Sequence, residues 1–144
     1  MRNLVPTYAI QATSATNSLR DIVGFAVTAT TINKVIEAVS DSSLYEAHEE
    51  RPCAAAILRA ANVLVNVKPV DWSTVEIEPY MGEISLNWRN GRDRRVKAII
   101  PKNGSYFSTY HEDMQNGRVA SHSLKQRVNH EYLTERLNWL RAAR

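Results

Sequence analysis

The chain contains one cysteine, Cys53, in 144 residues. That excludes an internal disulfide framework and a cysteine-rich zinc site. Five glycines and two phenylalanines are also few for this length. The glycines mostly fall at expected turns. There is no Gly-rich phosphate loop, dinucleotide fingerprint or nucleophile elbow. No stretch approaches the roughly 20 apolar residues needed to cross a bilayer. Residues 22–30 are apolar enough for a short signal core, but Arg20 and Asp21 precede them directly, a poor match to a secretory signal. The expectation is a reducing, cytoplasmic location without a membrane partner.

What remains is ordinary for a globular chain, with 44% hydrophobic and 23% charged residues. The formal net charge is +3. Residues 1–73 hold six basic and seven acidic side chains, and residues 118–144 hold six basic and two acidic ones. This mild excess permits nucleic-acid binding without demanding it.

The most informative stretch runs from Thr74 to Glu112. Ile84, Leu86 and Trp88 alternate with Glu83, Ser85, Asn87 and Arg89. That period of two describes a strand with one buried face. Val75 and Ile77 alternate likewise, with Pro79–Gly82 as the link. Pairing Ile77 with Ile84 and Val75 with Leu86 keeps the apolar residues together. Asn90-Gly91 resembles a two-residue hairpin turn, but such a turn would place Leu86 opposite Arg95. A slip of one residue exchanges the two faces. A three-residue loop, Asn90-Gly91-Arg92, instead sets Leu86 opposite Val96 and Arg89 opposite Asp93. Asn103-Gly104 suits a two-residue turn that pairs Ile100 with Phe107 and Ala98 with Thr109. The predicted inner face is Val75, Ile77, Ile84, Leu86, Trp88, Val96, Ala98, Ile100, Phe107 and Thr109. Asn116-Gly117 suggests a short fifth strand, Arg118–Ala120.

Helical patterns flank the sheet. A helix capped by Thr16 or Asn17 carries two apolar stripes: Leu19, Ile22, Val23 and Ala26, then Phe25, Ala29, Ile32, Ile36 and Val39. Such a helix is central in a core or forms a dimer interface. Ser43 and Glu46 have capping-box spacing for a short helix reaching about Glu50. Arg51-Pro52 starts another, burying Cys53, Ile57, Ala60, Ala61 and Leu64. Cys53 reads as a small core residue. Pro69 ends the helical half, and Trp72 packs at the joint with the sheet. Asn129 caps a last helix, 130–142, with Leu133, Leu137 and Leu140 at helical spacing.

The expected fold is therefore α+β. A four- or five-stranded antiparallel meander is covered on one face by N-terminal helices and a C-terminal helix. Residues 1–15 form a flexible arm. Residues 16–144 form a single domain: a helical part at 16–66, the sheet at 74–120 and the last helix at 129–142.

Candidate chemistry is sparse. His111, Glu112, Asp113, His122 and His130 lack metal-ligand spacing. Glu78 facing Glu83 offers a carboxylate pair, but more simply an acidic sheet edge that resists pairing. On the outer face, Arg95, Lys97, Tyr106 and Tyr110 combine cations with rings. Cations neutralise phosphates, and tyrosines stack on unpaired bases or anchor protein interfaces.

Residues 82–88, the basic turn after them and Val96–Ile100 resemble a hairpin in small uncharacterised proteins of bacteria and their mobile elements. The resemblance implies a bacterial or phage accessory protein and carries no site residues. The resulting expectation is a non-catalytic macromolecule-binding or inhibitor protein, of antitoxin, immunity or anti-defence type. It would act by steric occlusion through Arg95, Lys97, Tyr106 and Tyr110, without a cofactor or metal. A protein partner is favoured. The alternative is a single-stranded nucleic-acid binder using the same face. A homodimer through the N-terminal helices is a separate expectation.

Overall fold

A computed structural model describes residues 27–67 and 75–142. Its centre is a five-stranded antiparallel meander in the order β1-β2-β3-β4-β5. The strands are β1 (Glu76–Tyr80), β2 (Glu83–Asn90), β3 (Arg94–Ile100), β4 (Phe107–Gln115) and β5 (Arg118–Val128). Residues 27–39 are helical and are called α1 here. Helix α2 spans Ala54–Asn66 and α3 spans His130–Arg141. The α+β architecture matches the sequence reading.

Both α2 and α3 pack on β2 and β3. The sheet face beneath them follows the period-two pattern. Of the ten residues assigned inward, nine are buried and Ile77 is half-buried. Val128, Leu133, Leu137 and Leu140 extend this core.

The registers differ in two places from the sequence expectation. Ile77 pairs with Leu86, not Ile84, and Glu78 pairs with Ser85, not Glu83. The turn is shorter than expected because Pro79 and Tyr80 continue the strand. Proline is tolerated there because β1 is an edge. Between β2 and β3 the loop does have three residues, but they are Gly91–Asp93. Arg89 consequently meets Arg95, and Leu86 meets Ala98. Both changes move the pairing by two residues, so every side chain keeps its face. The Ala98–Thr109 pairing is as expected, although residues 101–106 form a longer loop instead of a two-residue turn. Asn116 and Gly117 both have positive φ, 52° and 76°, as a type I′ turn requires.

Three helical expectations need correction. Ser43 does not start an α-helix. Asp41 accepts hydrogen bonds from the Ser43 N–H and hydroxyl at 2.9 and 2.8 Å, and only a 3-10 turn, Ser42–Leu44, forms. Asp and Ser side chains compete locally for the backbone groups a helix would use. Helix α2 starts at Ala54, which leaves Cys53 as its exposed N-cap, not a core residue. In α1 the buried stripe is Thr31, Val35 and Val39, while Ile36 is exposed. The Thr31 hydroxyl donates to the Val27 carbonyl, which lets a polar residue occupy that stripe. The expected arm, Leu19, Ile22, Val23, Phe25, Ala26 and Trp72 lie outside the described residues.

Helix α3 is fastened at both ends. Asn129 Oδ1 accepts from the Tyr132 N–H at 2.8 Å. At the other end, Asn90 Nδ2 donates to the Leu140 carbonyl and Arg94 to the Trp139 carbonyl. A cation at the carboxyl end also complements the helix dipole. Arg59 of α2 donates to the carbonyls of Pro101, Lys102 and Gly104, tying the 101–106 loop to that helix.

Candidate protein-binding edge and its neighbouring face

The fifth strand is the largest departure from the sequence expectation. It runs for 11 residues, not three. Ten of them are exposed, and only Val128 is buried. On one side β5 pairs with β4 from Gln115–Arg118 to Phe107–Val128. Among the described residues its other side is a row of backbone donors and acceptors without strand partners.

The two sheet edges are unlike. The short β1 carries Glu76, Glu78 and Pro79, all features that discourage further pairing. The longer β5 has no carboxylate and no proline, and what guards its edge is Arg118, Lys125 and Arg127 together with irregularities toward its ends. The irregularities lie between Phe107 and Thr109 and between Asp113 and Met114 on the paired strand. The stretch Ser121–Lys125 pairs without a shift. Val119 and Leu124 are exposed apolar residues on this edge strand.

The outer face leads into the edge by rows. Asn87, Lys97, Tyr110 and Leu124 form one row, and Arg89, Arg95, Glu112 and His122 form the next. Lys97 and Tyr110 are thus direct neighbours, with Arg95 one row away. Arg95 is not a free cation: it pairs with Glu112 at 2.8 Å. The same carboxylate accepts from the Tyr110 hydroxyl at 2.8 Å. That bond, reinforced by burial, raises the Tyr110 pKa above the ordinary phenol value. In the sequence, Glu112 stands out only for its neighbours His111 and Asp113. Its place opposite Arg95 follows from the β3–β4 register, which the Ala98–Thr109 pairing already implied.

Tyr106 does not join that group. It lies in the 101–106 loop, exposed, with the Arg127 guanidinium 5.7 Å from its ring centre. The face as a whole is mixed in sign, because Glu76, Glu78 and Glu83 lie along its β1 side. Glu78 and Glu83 are not opposite one another, which removes the geometry of the suggested carboxylate pair.

The histidines are also divided. His122 is near Tyr110, with ring centres 6.3 Å apart. His111 lies on the other sheet face, edge-on to Trp139 at 5.2 Å. His130 sits against Phe107 at 5.8 Å. No group of three His, Cys, Asp or Glu residues among those described could hold a metal ion.

Burial lowers the pKa of both His111 and His130, and Arg136 adds to the effect at His111. The unfolded chain therefore takes up these protons at a higher pH than the folded one. Their contribution to stability is present above the ordinary value of 6.5 and is lost as pH falls through the lowered folded values. Urea midpoints should fall between pH 7 and pH 5, and His111→Gln should reduce that fall. An unchanged pH dependence in the variant would remove His111 as a source.

A cleft of about 440 Å³ opens where β5 meets α3. Its walls include Leu58 and Val63 of α2, Ile100, Phe107, Val128 and His130. Comparison with known proteins finds no matching family model, no matching curated protein and no matching solved structure. Among the described residues no helix is long and apolar enough to cross a membrane.

Proposed function

We propose that this is a non-catalytic protein-binding module that adds a strand of its partner to β5. The observation that carries this reading is the 11-residue edge, exposed at ten positions and unpaired on one side among the described residues. An added strand gains main-chain hydrogen bonds along the edge, while side chains beside it provide specificity. Leu124, Tyr110 and Lys97 continue from the edge across the outer face. An added strand would lie beside Leu124, and only a partner whose body also extends over the outer face would reach Tyr110 and Lys97 and act by steric occlusion. The antitoxin, immunity or anti-defence class belongs to this proposal and rests on the hairpin resemblance.

The outer face gives less support to single-stranded nucleic acid. Arg95 is neutralised by Glu112, Tyr106 stands apart, and three glutamates share the face. Phosphate binding needs cations that are not already paired.

The test is selection of displayed random peptides on the protein, followed by binding to two proline variants. His122→Pro and Ser123→Pro occupy consecutive positions, so one removes an N–H directed away from β4. Selected peptides should lose at least about tenfold in affinity for whichever variant retains its circular dichroism spectrum. Undiminished binding would reject the edge. Tight, salt-sensitive binding of mixed single-stranded DNA would favour nucleic acid instead.

A further inference from the structure

Resting on the strand-addition reading, we infer that the segment joining β5 is acidic and seats a large apolar side chain in the cleft at the end of that strand. Three observations meet at this place.

The first is continuity. Val128 ends β5, and Val128, Asn129 and His130 form part of the cleft wall. The strand bends just before the cleft, where Arg127 has a φ of 56° and the pairing shifts between Phe107 and Thr109, so a segment following β5 reaches the cleft through that bend. The second is chemistry. Leu58, Val63, Ile100, Phe107 and Val128 present apolar surface, and Leu58 is 53% exposed. The two terminal nitrogens of the Arg59 guanidinium in the wall donate to three carbonyls, while its buried Nε has no partner among the described residues. Among the described residues the cleft wall holds no carboxylate. Burial also favours the neutral form of His130. A volume of about 440 Å³ lies within the usual range for ligand sites, about 300–1,000 Å³, and admits an aromatic side chain.

The third observation is charge. Lys125 lies over the Tyr132 ring at 4.6 Å and Arg127 over the Tyr106 ring at 5.7 Å. Neither forms an ion pair within 4 Å among the described residues, although Glu131 and Glu135 of α3 border the same hollow as both cations. Tyr106 also borders the cleft, so Arg127 stands beside its entrance. Carboxylates on the incoming segment would meet these cations just before its apolar side chain reached the cleft. A second copy joined edge to edge through β5 would instead bring together three cations from each strand and no carboxylate. That charge balance selects an acidic segment of a different protein.

The probes are fluorescein-labelled nine-residue peptides of alternating Thr and Val, with two Glu and one Phe. One places Phe near its N-terminus and the other near its C-terminus, covering both strand directions. Controls replace Phe by Ser or both Glu by Lys. Fluorescence anisotropy should show one Phe peptide binding at least about tenfold more tightly than its Ser counterpart. The preference should fall to about one in Leu58→Gln, which makes the mouth polar, and in Val63→Phe, which fills the cleft. Thermal unfolding identifies a variant that has failed to fold.

Equal binding of Phe and Ser peptides to the wild-type chain would remove the cleft inference and leave strand addition standing. Binding by none of the peptides would overturn both. Equal binding of the Lys peptide would overturn the acidic assignment. Concentration-dependent dimers that the peptide displaces would assign the edge to a second copy.

Discussion

Leu86→Ala should cost about 2–5 kcal/mol of folding stability, the usual range for a buried leucine truncated to alanine. Leu86 is fully buried near the middle of β2, with Ile77 on one neighbouring strand and Ala98 on the other. Ala98 is too small to fill the space released. The ladders on both sides hold β2 at its present spacing, so the walls cannot readily collapse. The loss therefore combines lost apolar burial with a persistent cavity. Urea unfolding should show a lower midpoint with an unchanged slope. Leu124→Ala provides the contrast. Leu124 is exposed on β5, and its truncation should change stability by no more than about 0.5 kcal/mol. Similar losses at both positions would contradict the assignment of an inner and an outer face.

Gly82→Ala should cost about 1–3 kcal/mol, the range for a residue held in an unfavourable backbone region. Met81 and Gly82 have φ of 50° and 84°, so the β1–β2 connection is a two-residue turn with both centres left-handed. A Cβ at Gly82 would also stand 3.0 Å from Glu50 Oε2 and 3.3 Å from Lys102 Cδ. Those side chains form an exposed ion pair at 2.8 Å. Their displacement adds to the backbone strain. Gly91→Ala separates the contributions, because Gly91 has φ of 61° but no heavy atom within 4 Å of the added carbon. The expected order is a greater loss at Gly82 than at Gly91 in thermal unfolding. Equal losses would mean that Glu50 and Lys102 move aside at no measurable cost.

These substitutions probe the scaffold. The peptide measurements probe an edge that contributes almost nothing to the core. That separation matters because exposed β5 residues can be changed without disturbing the packing of β2, β3, α2 and α3. A β5 variant that loses peptide binding but keeps its midpoint would therefore report on recognition.

The sequence by itself determined the faces of β1 through β4. Alternation assigned Val75, Ile84, Leu86, Trp88, Val96, Ala98, Ile100, Phe107 and Thr109 to the buried side, and all are buried. The errors in pairing were of two residues, a displacement to which alternation is blind. Asn129 and the leucines after it likewise defined α3, because capping and helical periodicity are local properties. The Met81-Gly82 turn was obscured by methionine, an uncommon occupant of a left-handed position.

Only the tertiary structure decided the extent of β5. Its residues lack alternation because neither face is covered, so burial leaves no pattern in Arg118–Gln126. Pairing with β4 makes this polar segment a strand, through backbone bonds that do not depend on side-chain hydrophobicity. The same limit applies to the candidate site. Local sequence placed Arg95, Lys97 and Tyr110 on one face, but across-strand pairing brought Glu112 to Arg95. Loop geometry moved Tyr106 away to Arg127 and the cleft. Alternation specifies the side of a sheet, whereas charge compensation and clefts depend on residues brought together from distant parts of the chain.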